Sequence, residues 1–252
     1  MTANPTLAPA PAAAATVQQD YARYSADDRW VWQRLFERQL VVLPQVASQR
    51  FLDGLHRVGF RADEIPDFAR VNPRLQAATG WALVAVPGIV DDATFFHLLA
   101  SRQFPATTWL RTPAQLDYLE EPDMFHDVFA HVPLLTDPFF ADFLQALGTL
   151  ALRHLTDPVA IEKLARLYWF TVEFGLIQEA DALRIYGAGI LSSAGETAFC
   201  LGSEPARRPF DVAEILATPF AKDRMQDVYF IITSYQQLAD CIPELALRLN
   251  EE

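Results

Sequence analysis

Apolar residues recur at helical spacing through most of the chain. Ser25 and Asp28 form a shortened capping box, and the pattern behind them predicts a first helix from about Ala26 to Val41. Two shorter helical segments follow, RFLDGLHRVGF and NPRLQAATGW, with their predicted ends at Gly59 and Gly80. The N-terminal third is therefore predicted to be helical.

A short β-branched run interrupts this pattern. Trp81 to Val86, ended by Pro87, predicts a strand at the edge of a small sheet. Asp91 and Asp92 then stand where a helix favours acids, ahead of ATFFHLLASRQF. Further helices are predicted at Thr136–Leu155, Asp157–Gln178, Phe210–Thr218 and Ser234–Leu249, and further strands at Ala182–Tyr186 and Val228–Ile232.

The chain shows no internal repeat, flexible linker or change of composition after residue 20. We therefore predict one domain over residues 21–252, mainly α with small antiparallel β elements (α+β). Residues 1–20 are rich in Ala and Pro and predict a disordered tail. This tail has no basic region before its apolar part, so a secretory signal is not expected.

Charge and composition exclude several classes of partner. The formal charge is −12, from 32 acidic and 20 basic residues, and no basic run could neutralise phosphates, so nucleic acid is not an expected partner. No segment approaches the roughly 18 to 20 uninterrupted apolar residues of a membrane span. Cys200 and Cys241 lie far apart without metal-finger spacing, which favours reduced thiols in the cytoplasm.

The densest group of possible ligands is EPDMFHDVFAH, which contains His126 and His131. Five residues turn an α-helix through about 140°, whereas the zinc motif HExxH spaces its histidines by four. A hydrolytic zinc helix is therefore disfavoured. The two rings could still converge if the helix is distorted or ends between them. Glu173, with apolar neighbours at helical spacing, is the best candidate for a third ligand.

Each of these residues also has a structural interpretation. A helical projection aligns Glu173 with Glu162 and Arg166 in a stripe facing solvent, and either histidine could be a surface or hydrogen-bonded residue. If the three side chains meet, two imidazoles and a carboxylate form the facial arrangement typical of non-haem iron(II). A zinc site with a nucleophilic water is the second metal hypothesis.

Two other motifs are less specific. YGAGILSS contains a GxG but lies in no βαβ pattern, so its glycines favour close backbone approach over dinucleotide binding. Arg111, in WLRTP, could clamp a carboxylate or pair with a surface acid, and the residues alone favour the surface pair.

Four segments together resemble the pterin-dependent aromatic amino acid hydroxylases, and within that family the short bacterial members that act on phenylalanine. They are ATGW with VPGIVDDATFFHLLASRQFP, then WLRTPAQLDYLEEPDMFHDVFAHVPLLTDPFFADF, LARLYWFTVEFGLI and RIYGAGILSSAGET. Their order and spacing also match, so the resemblance covers roughly residues 30–240. It implies that iron(II) and a tetrahydropterin together activate dioxygen and that the protein converts L-phenylalanine to L-tyrosine.

The resemblance carries residue roles with it. His126, His131 and Glu173 match the iron ligands of the family. Residues that match its substrate site are Arg111 for the α-carboxylate, Ser192 nearby, and Pro122 and Trp169 beside the aromatic ring. Residues that match its pterin site are Gly88, Val90, Phe95, Asp127 and Tyr168, and Asp123 and Glu196 match acids that orient the ligands or their partners.

Three positions depart from the family pattern. Asp127 stands where many relatives have a longer glutamate that reaches the pterin, which puts that contact in doubt. Ala130 replaces a usual glycine beside His131, and Pro105 stands where some animal relatives have histidine. None of these changes removes a ligand.

The resemblance leaves two alternatives for the function. One is a tryptophan or tyrosine hydroxylase of the same family, since small changes of pocket shape shift this preference. The other is a non-catalytic relative that binds an aromatic amino acid or a pterin. The chain looks too short for the regulatory and tetramerisation segments of animal members, so a cytoplasmic monomer is expected. Pterin-recycling enzymes are expected as functional partners only.

Overall fold

A computed structural model describes residues 16–117, 119–180 and 182–250. Within these ranges the helices are α1 (Ala26–Val46), α2 (Gln49–Val58), α3 (Phe68–Thr79), α4 (Asp92–Ala100), α5 (Pro138–Ala151), α6 (Pro158–Tyr168), α7 (Ala188–Leu191), α8 (Ala194–Phe199), α9 (Val212–Ala217), α10 (Tyr235–Asp240) and α11 (Ile242–Leu249). The strands are β1 (Ala82–Val86), β2 (Gln103–Thr107), β3 (Leu176–Glu179), β4 (Ala182–Ile185), β5 (Ala206–Pro209) and β6 (Val228–Ile232). Short 3₁₀ helices lie at Tyr21–Arg23, Pro113–Gln115 and Val132–Thr136, and π-helical turns at Phe125–Ala130 and Trp169–Glu173.

The strands form two small sheets. β1 and β2 pair with each other, and the second sheet has the order β4-β3-β6-β5. The prediction of a mainly helical fold with small sheets is confirmed, but the predicted antiparallel pairing is right only for β3 with β4. The pairs β1–β2, β3–β6 and β5–β6 are parallel. Helix α4 connects β1 to β2, and helix α9 connects β5 to β6. A helical crossover of this kind lets the second strand run in the same direction as the first.

Helix α5 lies at the centre of the core. Asp137 caps it by accepting hydrogen bonds from the backbone amides of Phe139 and Phe140. The helix contacts α3, α4, α6, α10 and α11, and it buries apolar residues on most of its faces. Because of this capping by Asp137, it begins two residues after the predicted start at Thr136.

Helix boundaries near the N-terminus match the predictions closely. Both hydrogen bonds of the Ser25–Asp28 capping box form at the start of α1. The left-handed residues Gly59 and Gly80 end α2 and α3, as predicted. Helix α1 continues past the predicted end at Val41 to Val46, with Pro44 in its last turn.

The helix predicted to run from Asp157 to Gln178 is wrong at its C-terminal end. It stops at Glu173, and the following apolar residues begin strand β3. A short apolar run such as Leu176 and Ile177 fits a buried strand as well as a helix. Pairing with β4 and β6 selects the strand, and the Gly175 carbonyl accepts hydrogen bonds from the amides of Tyr186 and Gly187.

Two further predictions need correction. The single helix predicted at Ser234–Leu249 is divided at Cys241 into α10 and α11, because Pro243 in the first turn of α11 has no amide hydrogen to continue α10. Strands β2 and β5 were not predicted. β2 contains Pro105, which the edge of a two-stranded sheet tolerates.

Most of the predicted tail lies outside the described residues. At its end, the amide of Val17 donates to the Ala85 carbonyl, and the Gln19 side chain bonds to Pro66 and Phe68. No helix in the described ranges has both the length and the hydropathy to cross a bilayer.

The contact between α2 and the 3₁₀ helix Val132–Thr136 depends on Gly54. A methyl group there would overlap the backbone carbonyl of Pro133. We predict that Gly54→Ala lowers the free energy of unfolding by about 1–3 kcal/mol, measured by urea denaturation, because the two backbones must separate. Gly88→Ala is the control: its added methyl meets nothing within 4 Å, so stability should change by less than about 0.5 kcal/mol. Equal stability of both variants would contradict the close contact.

Candidate metal centre and adjoining cavity

A π-helical turn brings the two histidines together. Phe125–Ala130 forms this turn and His131 is its C-cap. The hydrogen bonds of a π-helix join residues five apart and its turn is wider, so positions that diverge by about 140° in an α-helix point in more similar directions. The Nε2 atoms of His126 and His131 are 3.2 Å apart. The spacing of five residues is therefore compatible with both histidines binding one ion, which was expected from the sequence only for a distorted helix.

Glu173 comes from the second π-helical turn, Trp169–Glu173, at the end of α6. Its Oε1 lies 3.2 Å from Nε2 of His131, and its Oε2 lies 3.5 Å from Nε2 of His126. The glutamate side chain is 12% exposed, whereas the Glu162 side chain is 62% exposed and pairs with Arg166 on the surface. The π-helical turn rotates Glu173 away from that stripe, so the solvent-facing alternative is wrong.

The donor atoms have the spacing of ligands around one ion. Metal–ligand bonds of about 2.1 Å place neighbouring donors roughly 3.0–3.4 Å apart in octahedral or tetrahedral geometry. The separations between the two Nε2 atoms and between His131 Nε2 and Glu173 Oε1, both 3.2 Å, fall in this range, and the 3.5 Å between His126 Nε2 and Glu173 Oε2 lies just above it. Within the described residues, this trio is the group of His, Cys, Asp and Glu side chains that could hold a metal.

Ser192 orients the imidazole of His126. The Ser192 hydroxyl lies 2.9 Å from the Ala188 carbonyl, to which it donates, and 2.9 Å from Nδ1 of His126. A hydroxyl has one hydrogen, so Nδ1 must be the donor to Ser192 Oγ. That tautomer leaves a lone pair on Nε2, which faces Glu173 and suits a metal.

Charge and burial prepare the trio for a cation. Burial raises the pKa of the Glu173 carboxyl, but the attraction of His131 and His126 in their protonated forms and hydrogen bonds from His131 and Tyr168 outweigh it and lower that pKa to about 2. Burial also lowers the pKa of His126, which favours its neutral form. An ionised carboxylate beside a neutral imidazole is the protonation state that metal binding requires.

Glycines of the YGAG segment pack against the backbone of Glu173. A methyl group on Gly187 would overlap the Glu173 carbonyl, and one on Gly189 would lie 3.1 Å from the same oxygen. The prediction that these glycines permit a close backbone approach is confirmed.

Asp123 and Arg111 form a buried pair behind the histidine turn. Asp123 accepts from Nε and Nη2 of Arg111 at 2.9 Å each, and from the amide of Arg111. Its other contact is the amide of His126, at 3.2 Å. The Arg111 side chain is 8% exposed, so the surface pair that the residues alone favoured is wrong.

Asp127 is held from the opposite side of the turn. Its Oδ2 accepts 2.8 Å hydrogen bonds from both the amide and the hydroxyl of Thr107, at the end of β2. Burial raises the pKa of the Asp127 carboxyl, against the opposing effect of His126 and Thr107.

A cavity of about 170 Å³ opens beside the three donors. All five predicted pterin residues line it, namely Gly88, Val90, Phe95, Asp127 and Tyr168. The rings of Phe95 and Tyr168 meet edge to face, 5.3 Å between centroids. The expected pterin residues therefore share one wall next to the candidate ligands.

The predicted substrate residues are more dispersed. Pro122 lines the cavity, whereas Ser192 lies behind His126 and Arg111 behind Asp123. Trp169 lies between the rings of Phe174 and Phe220, at 4.7 and 4.5 Å.

Among the described residues, no histidine is hydrogen-bonded to Glu196. Its carboxylate instead accepts from the Tyr229 hydroxyl and, at 3.4 Å, from the amide of Gln226. Its predicted role as an orienting acid therefore concerns the segment around Gln226.

Sequence reasoning missed several residues of the site. Phe104 packs its ring 4.8 Å from that of His131, Thr107 holds Asp127, and Gln226 bonds to Trp169. The first two lie on β2, which Pro105 concealed. No local pattern points to Gln226.

Comparisons with known proteins agree with this geometry. Residues 15–252 match the family of biopterin-dependent aromatic amino acid hydroxylases. The chain is 51% identical over 226 residues to the phenylalanine-4-hydroxylase of Chromobacterium violaceum, covering 89% of this chain and 76% of that protein. It is 42% identical over 232 residues to the phenylalanine-4-hydroxylase of Pseudomonas aeruginosa, covering 92% of this chain and 88% of that protein. A C. violaceum crystal structure with bound iron(III) and 7,8-dihydrobiopterin superposes with a TM-score of 0.88 at 50% identity, covering 93% of this chain and 86% of that one.

The donor set predicts a metal affinity that depends on Glu173. Glu173→Gln removes the one anionic ligand, so we expect iron(II) affinity to fall by more than about 100-fold in an anaerobic titration against a chelator. Glu162→Gln, on the exposed face of α6, is the matched control and should bind iron(II) like the wild type. Unchanged affinity in Glu173→Gln would remove this residue from the metal site.

Proposed function

The chain belongs to the family of biopterin-dependent aromatic amino acid hydroxylases, and we propose that it converts L-phenylalanine to L-tyrosine with iron(II), a tetrahydropterin and dioxygen. The observation that carries this proposal is the trio His126, His131 and Glu173, whose donor atoms lie within 4.8 Å of one another beside an open cavity. Two imidazoles and one carboxylate leave coordination positions free for oxygen chemistry.

The cofactors supply the redox chemistry. Iron(II) and the tetrahydropterin, when bound, reduce dioxygen so that one oxygen atom reaches the aromatic ring and the other the pterin. The protein contributes the placement of both partners and the exclusion of water. Phe104 and Pro105 form an apolar part of the cavity wall next to His131, and this wall would limit access of water to a bound metal.

We assign the pterin to the wall formed by Gly88, Val90, Phe95 and Tyr168. Gly88 leaves open space above its backbone, and Phe95 lines the cavity with an aromatic ring of the kind that stacks on a flat heterocycle. Asp127 has Oδ2 engaged by Thr107, which leaves Oδ1 as the acceptor for a pterin N–H.

We assign the substrate carboxylate to Arg111. Asp123 occupies Nε and one edge of Nη2, while the contact of Nη1 with the Leu116 carbonyl, at 3.5 Å, is long. The Nη1–Nη2 edge therefore keeps donors for a second carboxylate, and the Asp123 pair fixes its direction. The family resemblance supports placing the aromatic ring of the substrate beside Pro122, which lines the cavity, and Trp169, with Ser192 behind His126.

We further propose that the protein acts as a cytoplasmic monomer with no nucleic-acid or membrane partner. Cys200 and Cys241 are both free and buried, which suits a reducing compartment. The excess of 12 negative charges disfavours polyanions and anionic lipid surfaces.

The activity is tested by reconstitution. Protein loaded anaerobically with iron(II) should form tyrosine when oxygen, a tetrahydropterin and phenylalanine are all added, with products separated by mass. Omitting any one component should abolish the product. Hydroxylated tryptophan or dihydroxyphenylalanine formed in preference to tyrosine would move the assignment to another member of the family. No turnover of any aromatic amino acid would support the non-catalytic alternative.

The role of Arg111 is tested by a change that keeps its charge. Arg111→Lys loses the fork that grips a carboxylate at two points, so we predict a rise in KM for phenylalanine of roughly 10- to 100-fold with a smaller change in kcat. Arg61→Lys, an exposed arginine paired with Asp63, is the control and should leave KM unchanged. A Lys variant with wild-type KM would place the substrate carboxylate elsewhere.

A further inference from the structure

Trp169 belongs to a row of aromatic rings that begins next to the metal centre. Phe174 follows Glu173 directly, and a methyl group on Gly189 would lie only 2.8 Å from its ring. Trp169 lies against Phe174 on one side and is nearly parallel to Phe220 on the other, with a ring angle of 20°. Packing alone leaves such a row free to slide, because stacked rings tolerate lateral displacement. A directional contact is needed to fix the indole.

Gln226 supplies that contact. Its Oε1 accepts a 2.9 Å hydrogen bond from Nε1 of Trp169. Its Nε2 donates to the backbone carbonyls of Ala221 at 2.9 Å and Arg224 at 3.1 Å. The residue is 5% exposed and both ends of its amide are bonded. The indole N–H can only donate and the two carbonyls can only accept, so the amide has one orientation.

The backbone of Gln226 is anchored in turn. Its backbone N–H donates at 3.4 Å to the carboxylate of Glu196, which is also bonded to the hydroxyl of Tyr229. Glu196 lies on α8 and Tyr229 on β6, and both side chains are buried. Through Gln226, the loop Pro219–Asp227 and the indole of Trp169 are therefore tied to the rigid part of the domain.

We infer that Gln226 is a positioning residue for the aromatic substrate: it fixes the indole of Trp169, whose faces are covered by Phe174 and Phe220, and with it the indole edge beside which the substrate ring is placed. This inference rests on the proposed function, which places the ring of phenylalanine beside Trp169. Glu196 and Tyr229 act behind it by holding the loop. If the indole is fixed before the substrate binds, none of the binding free energy is needed to order it.

The first test reports on Trp169 without turnover. The chain has five tryptophans, and in the full-length protein labelled with ¹⁵N at the indoles the resonance missing from Trp169→Phe belongs to Trp169. In Gln226→Leu, which has similar size but no acceptor, this resonance should shift to higher field. Its hydrogen should exchange with solvent roughly ten-fold faster, because its bond is lost.

The second test is a double-mutant cycle on phenylalanine kinetics. Gln226→Leu should raise KM for phenylalanine roughly ten-fold and change kcat by less than about three-fold. In a Trp169→Phe background the same change should alter KM by less than about two-fold, because the indole N–H that Gln226 serves is already absent. Tyr235→Phe, which removes a buried hydrogen bond to Ser48, is the control: it should lower the unfolding temperature and leave KM unchanged.

Two results would overturn the inference. One is an unchanged Trp169 indole resonance in Gln226→Leu. The other is an effect of Gln226→Leu on KM that is the same with and without the indole, including no effect on KM beside a loss of stability, since a merely structural residue behaves in this way. Failure of the proposed function is a separate result, namely the absence of tyrosine from the wild-type mixture, and it leaves the indole spectrum readable.

Discussion

The candidate site depends on two π-helical turns. Residues five apart in an α-helix point in different directions, yet the Nε2 atoms of His126 and His131 lie 3.2 Å apart, and a π-helical turn is the local geometry that brings them together. The second turn does the same for Glu173, which an unbroken α6 would have placed on the solvent side. Both turns are irregular and less favourable than α-helix, so the surrounding packing has to hold them.

That support is visible on the side of the histidine turn away from the cavity. The rings of Phe125 and Phe129 are stacked 4.5 Å apart at 10° and are fully buried. Trp32 of α1 meets Phe125 edge to face, while Phe36 and Phe51 meet Phe129. Aromatic burial on one face and Asp123 at the amide of His126 together fix the turn from two directions. This packing is thus what holds the turn that carries two of the three ionisable groups.

Sequence patterns predicted the regular elements well and the irregular ones poorly. Ser25, Gly59 and Gly80 mark helix ends through local chemistry, and those ends are where they were predicted. The end of the helix at Glu173 and the strand at Leu176 were missed because they depend on pairing with β4 and β6, which lie later in the chain. For the site, the residues alone left iron, zinc and a structural role open, and only the resemblance to a known family selected among them. Gln226 escaped both approaches, since its role arises from a tertiary contact with Trp169.

The shorter acid at Asp127 shows how one departure from the family pattern is absorbed. A glutamate there could reach into the cavity by itself, and loss of one methylene shortens that reach. In this chain β2 brings Thr107 against the carboxylate, and two hydrogen bonds converge on a single oxygen. The free oxygen then has a fixed direction, because two donors on Oδ2 prevent rotation of the group. The aspartate side chain is shorter than a glutamate but is held in one orientation. The proposed pterin contact therefore depends on Thr107 of the β1–β2 sheet as well as on the histidine turn.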